Sequence, residues 1–316
     1  MDKALTPPWP SNFEGAPRHI GLEVEFGQLS PQQAAGVMLQ AFGGEVAERT
    51  TFQLRLTGTA FGGMVVELDT RYAEGGKGET KPAEVIREGL VKAASAVVPT
   101  EIAVDPVEWT RVLDLDRIIA ALRQAGAVGT SEHLAYGFGL QLNVETPSRR
   151  IEEILPIFQA YLILCDDLRQ SIGMDFTRTM LPFVQRFPDS YVDRVLDPAY
   201  RPDLDAFIAD YFQANPTKFR GLDLMPLLAW LDPPAVERAL GREPDAMRPA
   251  FHYRLPNTRL EDPSWGVSRE WRRWLQIEQL ASRPRRLRQR LKQHRRARPS
   301  SSVAHWARKL SRVLKI

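Results

Sequence analysis

The chain has 316 residues, 43% of them hydrophobic, which is enough for a sizeable core in one large domain or two smaller ones. A single cysteine, Cys165, excludes an intrachain disulfide, and the lack of about 18 consecutive apolar residues argues against a membrane-spanning helix. The net charge of +3 hides a division: residues 283–316 hold 13 of the 42 Lys/Arg and none of the 39 Asp/Glu, leaving the preceding body at −10. That balance suits a small-molecule or cation-dependent body with a separate contact tail better than a uniformly basic nucleic-acid binder.

Residues 1–17 are Pro-rich, lack the apolar stretch of a secretory leader, and read as a loosely held arm; a cytoplasmic location is expected. Residues 19–27 alternate Leu22, Val24 and Phe26 with Glu23 and Glu25, the period of a strand with one apolar face. Ser30-Pro31 predicts the start of a helix that closes at Gly43-Gly44. T-F-Q-L-R-L and G-M-V-V-E-L-D-T, separated by T-G-T-A-F-G-G, predict a hairpin with a longer loop. Y-A-E-G-G-K-G-E predicts a turn, and a helix from about Pro82 to Val97 leads to a short strand, T-E-I-A-V. Asp114 to Ala125 predicts a helix ending at Gly126, and F-G-L-Q-L-N-V-E a further alternating strand.

From Ile151 to about Arg248 the pattern is helical, punctuated by Pro; a returning strand, F-H-Y-R-L-P, and a Trp-rich helix over about 266–281 follow. Strands mixed with helices, then a helical insertion, then a returning strand predict an α+β fold with a largely antiparallel sheet. Trp265, Trp271 and Trp274 read as packing residues, Arg272 and Arg273 as surface charges, and Cys165 as a small core residue.

The non-apolar faces of these strands carry the chemistry. The first strand offers Glu23 and Glu25, the hairpin Glu67 and Asp69, the short strand Glu101, the next Gln141, Asn143 and Glu145, and the last His252 and Arg254. The plain reading is one solvated sheet face. Such faces are usually rich in Thr, Lys and Ser, whereas these strands present mostly carboxylates and carboxamides. Converging carboxylates without Lys are costly unless cations compensate, and hard divalent cations take oxygen ligands. No Cys/His cluster has zinc spacing, no G-x-x-x-x-G-K-[ST] marks a P-loop, and no G-x-S-x-G marks a serine hydrolase.

The motifs G-L-E-V-E-F, V-V-E-L-D, P-T-E-I-A-V-D-P-V, Y-G-F-G-L-Q-L-N-V-E and F-H-Y-R-L-P-N, in this order, resemble the amidoligase family. These are carboxylate–amine ligases of the glutamine synthetase and glutamate–cysteine ligase-like superfamily. The resemblance covers roughly 18–281, with 151–248 matching only in character. It implies a curved antiparallel sheet with helices on its outer face, and ATP with magnesium or manganese on its concave face. It also implies amide or isopeptide bond formation through an acyl phosphate, from carboxylate and amine substrates that include peptides or proteins. Metal ligation maps onto Glu23, Glu25, Glu67, Asp69, Glu101 and Gln141, nucleotide contact onto Asn143, Arg254 and Asn257, and stabilisation of the transferred phosphoryl group onto Arg254. Where the wider superfamily has His, this chain has Gln141, whose carbonyl oxygen can still ligate magnesium. His252 either touches nucleotide or is simply hydrogen-bonded in place.

The expected organisation is therefore an arm over 1–17, a catalytic domain over 18–282 with the insertion at about 151–248, and a basic tail over 283–316. The tail joins a charge run, a P-S-S-S linker and a basic amphipathic segment with Val303, Trp306 and Leu310 on one face. Contact with nucleic acid, peripheral contact with an anionic membrane, and a solubilising extension are all open to it. A catalytically inactive scaffold that uses this tail is the alternative to a ligase.

Overall fold

The computed structural model describes residues 5–50, 52–68, 98–130, 138–173, 184–217 and 219–296. Eight strands form one open, wholly antiparallel sheet: β1 (His19–Phe26), β2 (Glu45–Arg49), β3 (Gln53–Thr59), β4 (Gly62–Leu68), β5 (Thr100–Glu108), β6 (Leu140–Glu145), β7 (Leu222–Asp223) and β8 (Ala250–Tyr253). Their order across the sheet is β2-β3-β4-β5-β1-β6-β8-β7, so β1 lies inside, between β5 and β6.

The described helices are α1 (Pro31–Phe42), α2 (Asp116–Gln124), α3 (Ile151–Ile172), α4 (Asp189–Val195), α5 (Leu204–Ala214), α6 (Met225–Leu231), α7 (Pro233–Leu240), α8 (Val267–Ala281) and α9 (Pro284–Arg296). A 3-10 segment, Trp109–Leu115, precedes α2. None of the described helices is long and apolar enough to cross a membrane.

The α+β architecture follows from the period-two pattern. Leu22, Val24 and Phe26 are fully buried, and Leu56, Val66, Ile102, Leu140 and Leu142 share that apolar face. Helix α1 packs against β3, β4 and β5, and its start is the one the sequence signals. Ser30 Oγ accepts from the Gln33 backbone N–H, the Gln33 side chain accepts from the Ser30 N–H, and Pro31 occupies the first turn. At the β8 end, Trp274 of α8 packs on Phe251 and Tyr253, and Tyr161 of α3 meets Tyr253 edge-on.

Four features differ from the sequence reading. The hairpin loop is shorter than expected: β3 runs to Thr59 and β4 starts at Gly62, whose φ of 85° favours glycine, while Thr59 Oγ1 donates to the Gly62 carbonyl. Strand β2 carries no period-two signal because all five of its residues are exposed at the sheet edge. Strand β5 runs on through Pro106, which is tolerated where its register with β1 shifts between Ile20 and Leu22. Arg273 is buried, held by Glu270 and Ser171, because α8 packs closely on α3.

The arm is also pinned over its described residues. Leu5 is buried and its carbonyl accepts from Trp271 Nε1; Phe13 packs on Trp230, with Arg149 stacked over both rings. Arg18, 1% exposed, makes a two-pronged ion pair with fully buried Glu278 of α8, tying the entry of β1 to the far end of the chain. The expected turn at 72–79, the helix at 82–97, the linker and the segment from 303 lie outside the described residues.

Candidate functional site: a carboxylate row beside an amide relay

The sheet register places the polar side chains in adjacent cross-strand rows. In one row Gln53 pairs with Glu67, Glu67 with Glu101, and Glu101 with Glu25, so three carboxylates stand side by side on β4, β5 and β1. Directly opposed residues in an antiparallel sheet have Cβ atoms about 5 Å apart, and like charges there repel. Gln53 donates to Glu67, and Glu25 Oε2 accepts from the Gly139 N–H at 2.8 Å. Asp69 lies outside the described residues.

The neighbouring row sets Glu23 opposite Gln141, and the next sets Gly21 opposite Asn143 and Asn143 opposite His252. Here the side chains form a directed relay. Asn143 Nδ2 donates to Glu23 Oε1 at 2.8 Å; Gln141 Nε2 donates to Asn143 Oδ1 at 2.6 Å and lies 3.2 Å from His252 Nδ1. Gly21 makes room for it, since a Cβ there would lie 3.2 Å from the Asn143 Cβ. Both amide protons of Gln141 are thereby spent, which leaves Oε1 as the atom with which its side chain can meet a further group. Asn143 is engaged at both ends and holds Glu23 and Gln141 in place.

His252 is 5% exposed, and burial together with the charges of Arg254 and Arg248 pushes its pKa well below the usual histidine range. It is therefore neutral near pH 7. With Nδ1 accepting from Gln141, its proton sits on Nε2, a buried atom with no hydrogen-bond partner among the described residues. Buried polar atoms are rarely left so, and an orphan on this face marks a place for a further polar group. The tertiary fold thus puts an imidazole beside the Gln141 amide.

Arg254 follows β8 on the same side as His252, its backbone N–H donating to Gly221 and its guanidinium 3.5 Å from the Asp223 carboxylate. Asp223 was not apparent in the sequence, because it sits on a two-residue strand inside the helical segment. That segment positions it: Tyr211 Oη accepts from the Leu224 N–H, and Asp223 Oδ1 from the Met225 N–H. Asn257 is buried and bridges to Gly139, next to the Glu25 anchor. The fold therefore gathers Glu67, Glu101 and Glu25 in one row, Glu23, Gln141, Asn143 and His252 in the relay, and Arg254 with Asp223 beyond it.

The donor set suits a hard cation: every candidate ligand atom is oxygen. Among the described residues no three His, Cys, Asp or Glu side chains form a ready-made metal cage. Burial pushes the Cys165 thiol pKa up, which disfavours the reactive thiolate, and among the described residues its hydrogen bond is to the Tyr161 hydroxyl at 3.8 Å.

Fold and site together define an α+β protein whose open antiparallel sheet concentrates carboxylates, amides and an arginine on one face. The model of a family described as "Putative amidoligase enzyme" matches residues 16–276, and the chain belongs to that family. The family description points to a ligase. No curated protein and no solved structure matches the chain.

Proposed function

We propose that this protein is an ATP- and magnesium-dependent carboxylate–amine ligase that forms an amide or isopeptide bond through an acyl phosphate. The observation that carries the reading is the row Glu67–Glu101–Glu25, three like charges on adjacent strands with Glu23 and Gln141 one row away. Carboxylates aligned on adjacent strands are the kind of oxygen ligand that divalent cations use when they bridge to nucleotide phosphates.

In this reading Glu25, Glu67, Glu101, Glu23 and the Gln141 carbonyl hold cations that offset phosphate charge. Asn143 fixes the directions of Glu23 and Gln141. Arg254, oriented by Asp223, offers its fork of N–H donors to the phosphoryl group, where negative charge develops during transfer. Asn257, beside the Gly139 anchor, borders the nucleotide. The substrate carboxylate oxygen attacks the γ-phosphorus and ADP leaves. The amine then adds to the acyl carbon and phosphate departs, with one proton lost from nitrogen.

Calorimetry of ATP binding with and without magnesium tests the site. Magnesium-dependent binding that is lost in Glu25→Gln and Glu101→Gln is expected, and equal binding by wild type and both variants would sink the assignment. Hydroxylamine as a surrogate amine, added with a panel of carboxylates and peptides, tests the chemistry through hydroxamate formation. Nucleotide binding with no turnover across the panel would favour the inactive scaffold.

A further inference from the structure

The charge run after α8 is helical over its described residues. Residues 284–296 form α9, whose only apolar side chains, Leu287 and Leu291, are 5% and 2% exposed against the body, where the helix packs on α3 and α8. Seven cations of this segment, Arg283, Arg285, Arg286, Arg288, Arg290, Lys292 and Arg296, are exposed and have no carboxylate within 4 Å among the described residues; Arg295 and His294 pair with Asp197 and Asp193.

Two stripes result. Arg283, Arg286 and Arg290 border a groove shared with Asp167 of α3. Arg285, Arg288, Lys292 and Arg296 line the other flank with Gln289 and Gln293, and no acid stands among them. Their spacing of three, four and four residues keeps them on one helix face over roughly 17 Å. Like charges at that spacing each destabilise a helix by about 0.2–0.5 kcal/mol. Leu287 and Leu291 hold the helix in place against this repulsion, and an external polyanion would remove it.

We propose that the stripe Arg285–Arg288–Lys292–Arg296 is a docking ridge for the phosphate backbone of a nucleic-acid duplex, a function beyond the ligase reading and independent of it. Three observations select this partner. The apolar side of α9 is spent on the body, so this helix has none to insert into a bilayer, which interfacial helices require. Arginine dominates the ridge, and its planar fork matches phosphate oxygens. Among the described residues, the exposed large hydrophobics Val46, Leu113 and Met247 include no aromatic, so these residues offer a single strand no stacking platform. Gln289 and Gln293 add donors for phosphate or sugar oxygens, and such contacts set position without reading sequence.

The test is fluorescence anisotropy of a labelled 20-base-pair duplex, as DNA and as RNA, with the full chain at several salt concentrations. Four phosphate contacts predict a log–log salt slope of about −3 to −4, or roughly a hundredfold loss of affinity from 50 to 200 mM salt. The variant Arg285→Gln/Arg288→Gln/Lys292→Gln/Arg296→Gln should lose about 50-fold or more at 50 mM salt and flatten the slope. Its thermal midpoint should stay level or rise, which separates lost binding from lost folding. Arg283→Gln/Arg286→Gln/Arg290→Gln should bind within about fivefold of wild type. Undiminished binding by the first variant overturns the proposal. So does binding that vanishes only in Arg308→Gln/Lys309→Gln/Arg312→Gln/Lys315→Gln, or attachment to vesicles containing anionic phospholipid with no duplex binding.

Discussion

Asn143 donates its side-chain amide to Glu23 across the β6–β1 pair at 2.8 Å, and that bond sets the direction of every polar group as far as His252. A carboxylate only accepts, so Asn143 must turn its NH2 toward Glu23 and its Oδ1 toward Gln141. Gln141 must then present its own NH2 to Asn143, and with it a donor to His252 Nδ1. The imidazole is left as the Nε2–H tautomer. Any group that binds Glu23 therefore binds an atom whose orientation is coupled to Gln141 and His252.

Asn143→Leu removes a donor from Glu23 and an acceptor from Gln141 at once. Leaving buried polar groups unmade costs about 1–3 kcal/mol. Urea unfolding should show that loss, and nitrogen NMR of the His252 ring should show that the Nε2–H tautomer is no longer dominant. A stable variant with an unchanged tautomer would show that the relay does not set the proton position.

His252 is neutral in the fold because burial and the two nearby arginines hold its pKa down, whereas in the unfolded chain it titrates at about 6.5. Between those two values the unfolded state binds the extra proton. Stability should thus be highest above about pH 6.5 and fall as pH drops below it, by at most about 1.4 kcal/mol per pH unit from this group. His252→Asn keeps an acceptor for Gln141 without a titrating ring, so its thermal midpoint should fall less steeply between pH 6.5 and 5. Parallel pH profiles for the two proteins would exclude His252 as the source.

Glu101 stands between Glu67 and Glu25 in the carboxylate row. Glu101→Gln removes the central charge while keeping the shape. The midpoint increase that magnesium and ATP confer on wild type should shrink by more than half, since stabilisation by a ligand follows its affinity. Scanning fluorimetry with and without the ions reads this directly. An undiminished increase would place the cation elsewhere.

The Arg18–Glu278 pair is buried on both sides, and Glu278 also accepts from Trp274 Nε1 at 2.7 Å. Removing one partner strands the other charge away from water, at a cost of about 3–5 kcal/mol. Glu278→Leu should be destabilised by that order in urea unfolding, and Arg18→Met/Glu278→Leu by distinctly less. Equal losses in the single and double variants would mean that packing, not the unpaired charge, sets the cost.

Much of the fold was legible because its causes are local. Ser30 and Pro31 announce the start of α1, and the alternation around Glu23 and Glu25 announces β1. Strand β2 was not legible, since an edge strand with no buried face has no period to read, nor was β7, whose two residues are held by pairing with β8 rather than by any pattern of their own. Of the site, Glu23, Glu25, Glu67, Glu101, Gln141, Asn143 and Arg254 stood out as polar residues on otherwise apolar strands, whereas Asp223 looked like one acid among many in a helical stretch.

The sequence by itself determined the alternation, and so which side chains share a face, because a strand's side-chain period is a property of its own backbone. It also determined the family, through motifs that keep their order along the chain. Only the tertiary structure decided which polar residues became neighbours. Strand register depends on pairing between segments as far apart as Ile20 and Val144, and that pairing put Glu101 between two other glutamates and His252 against Gln141. It decided the basic run as well: eight cations in fourteen residues read as part of a separate contact tail until Leu287 and Leu291 are seen buried beneath them.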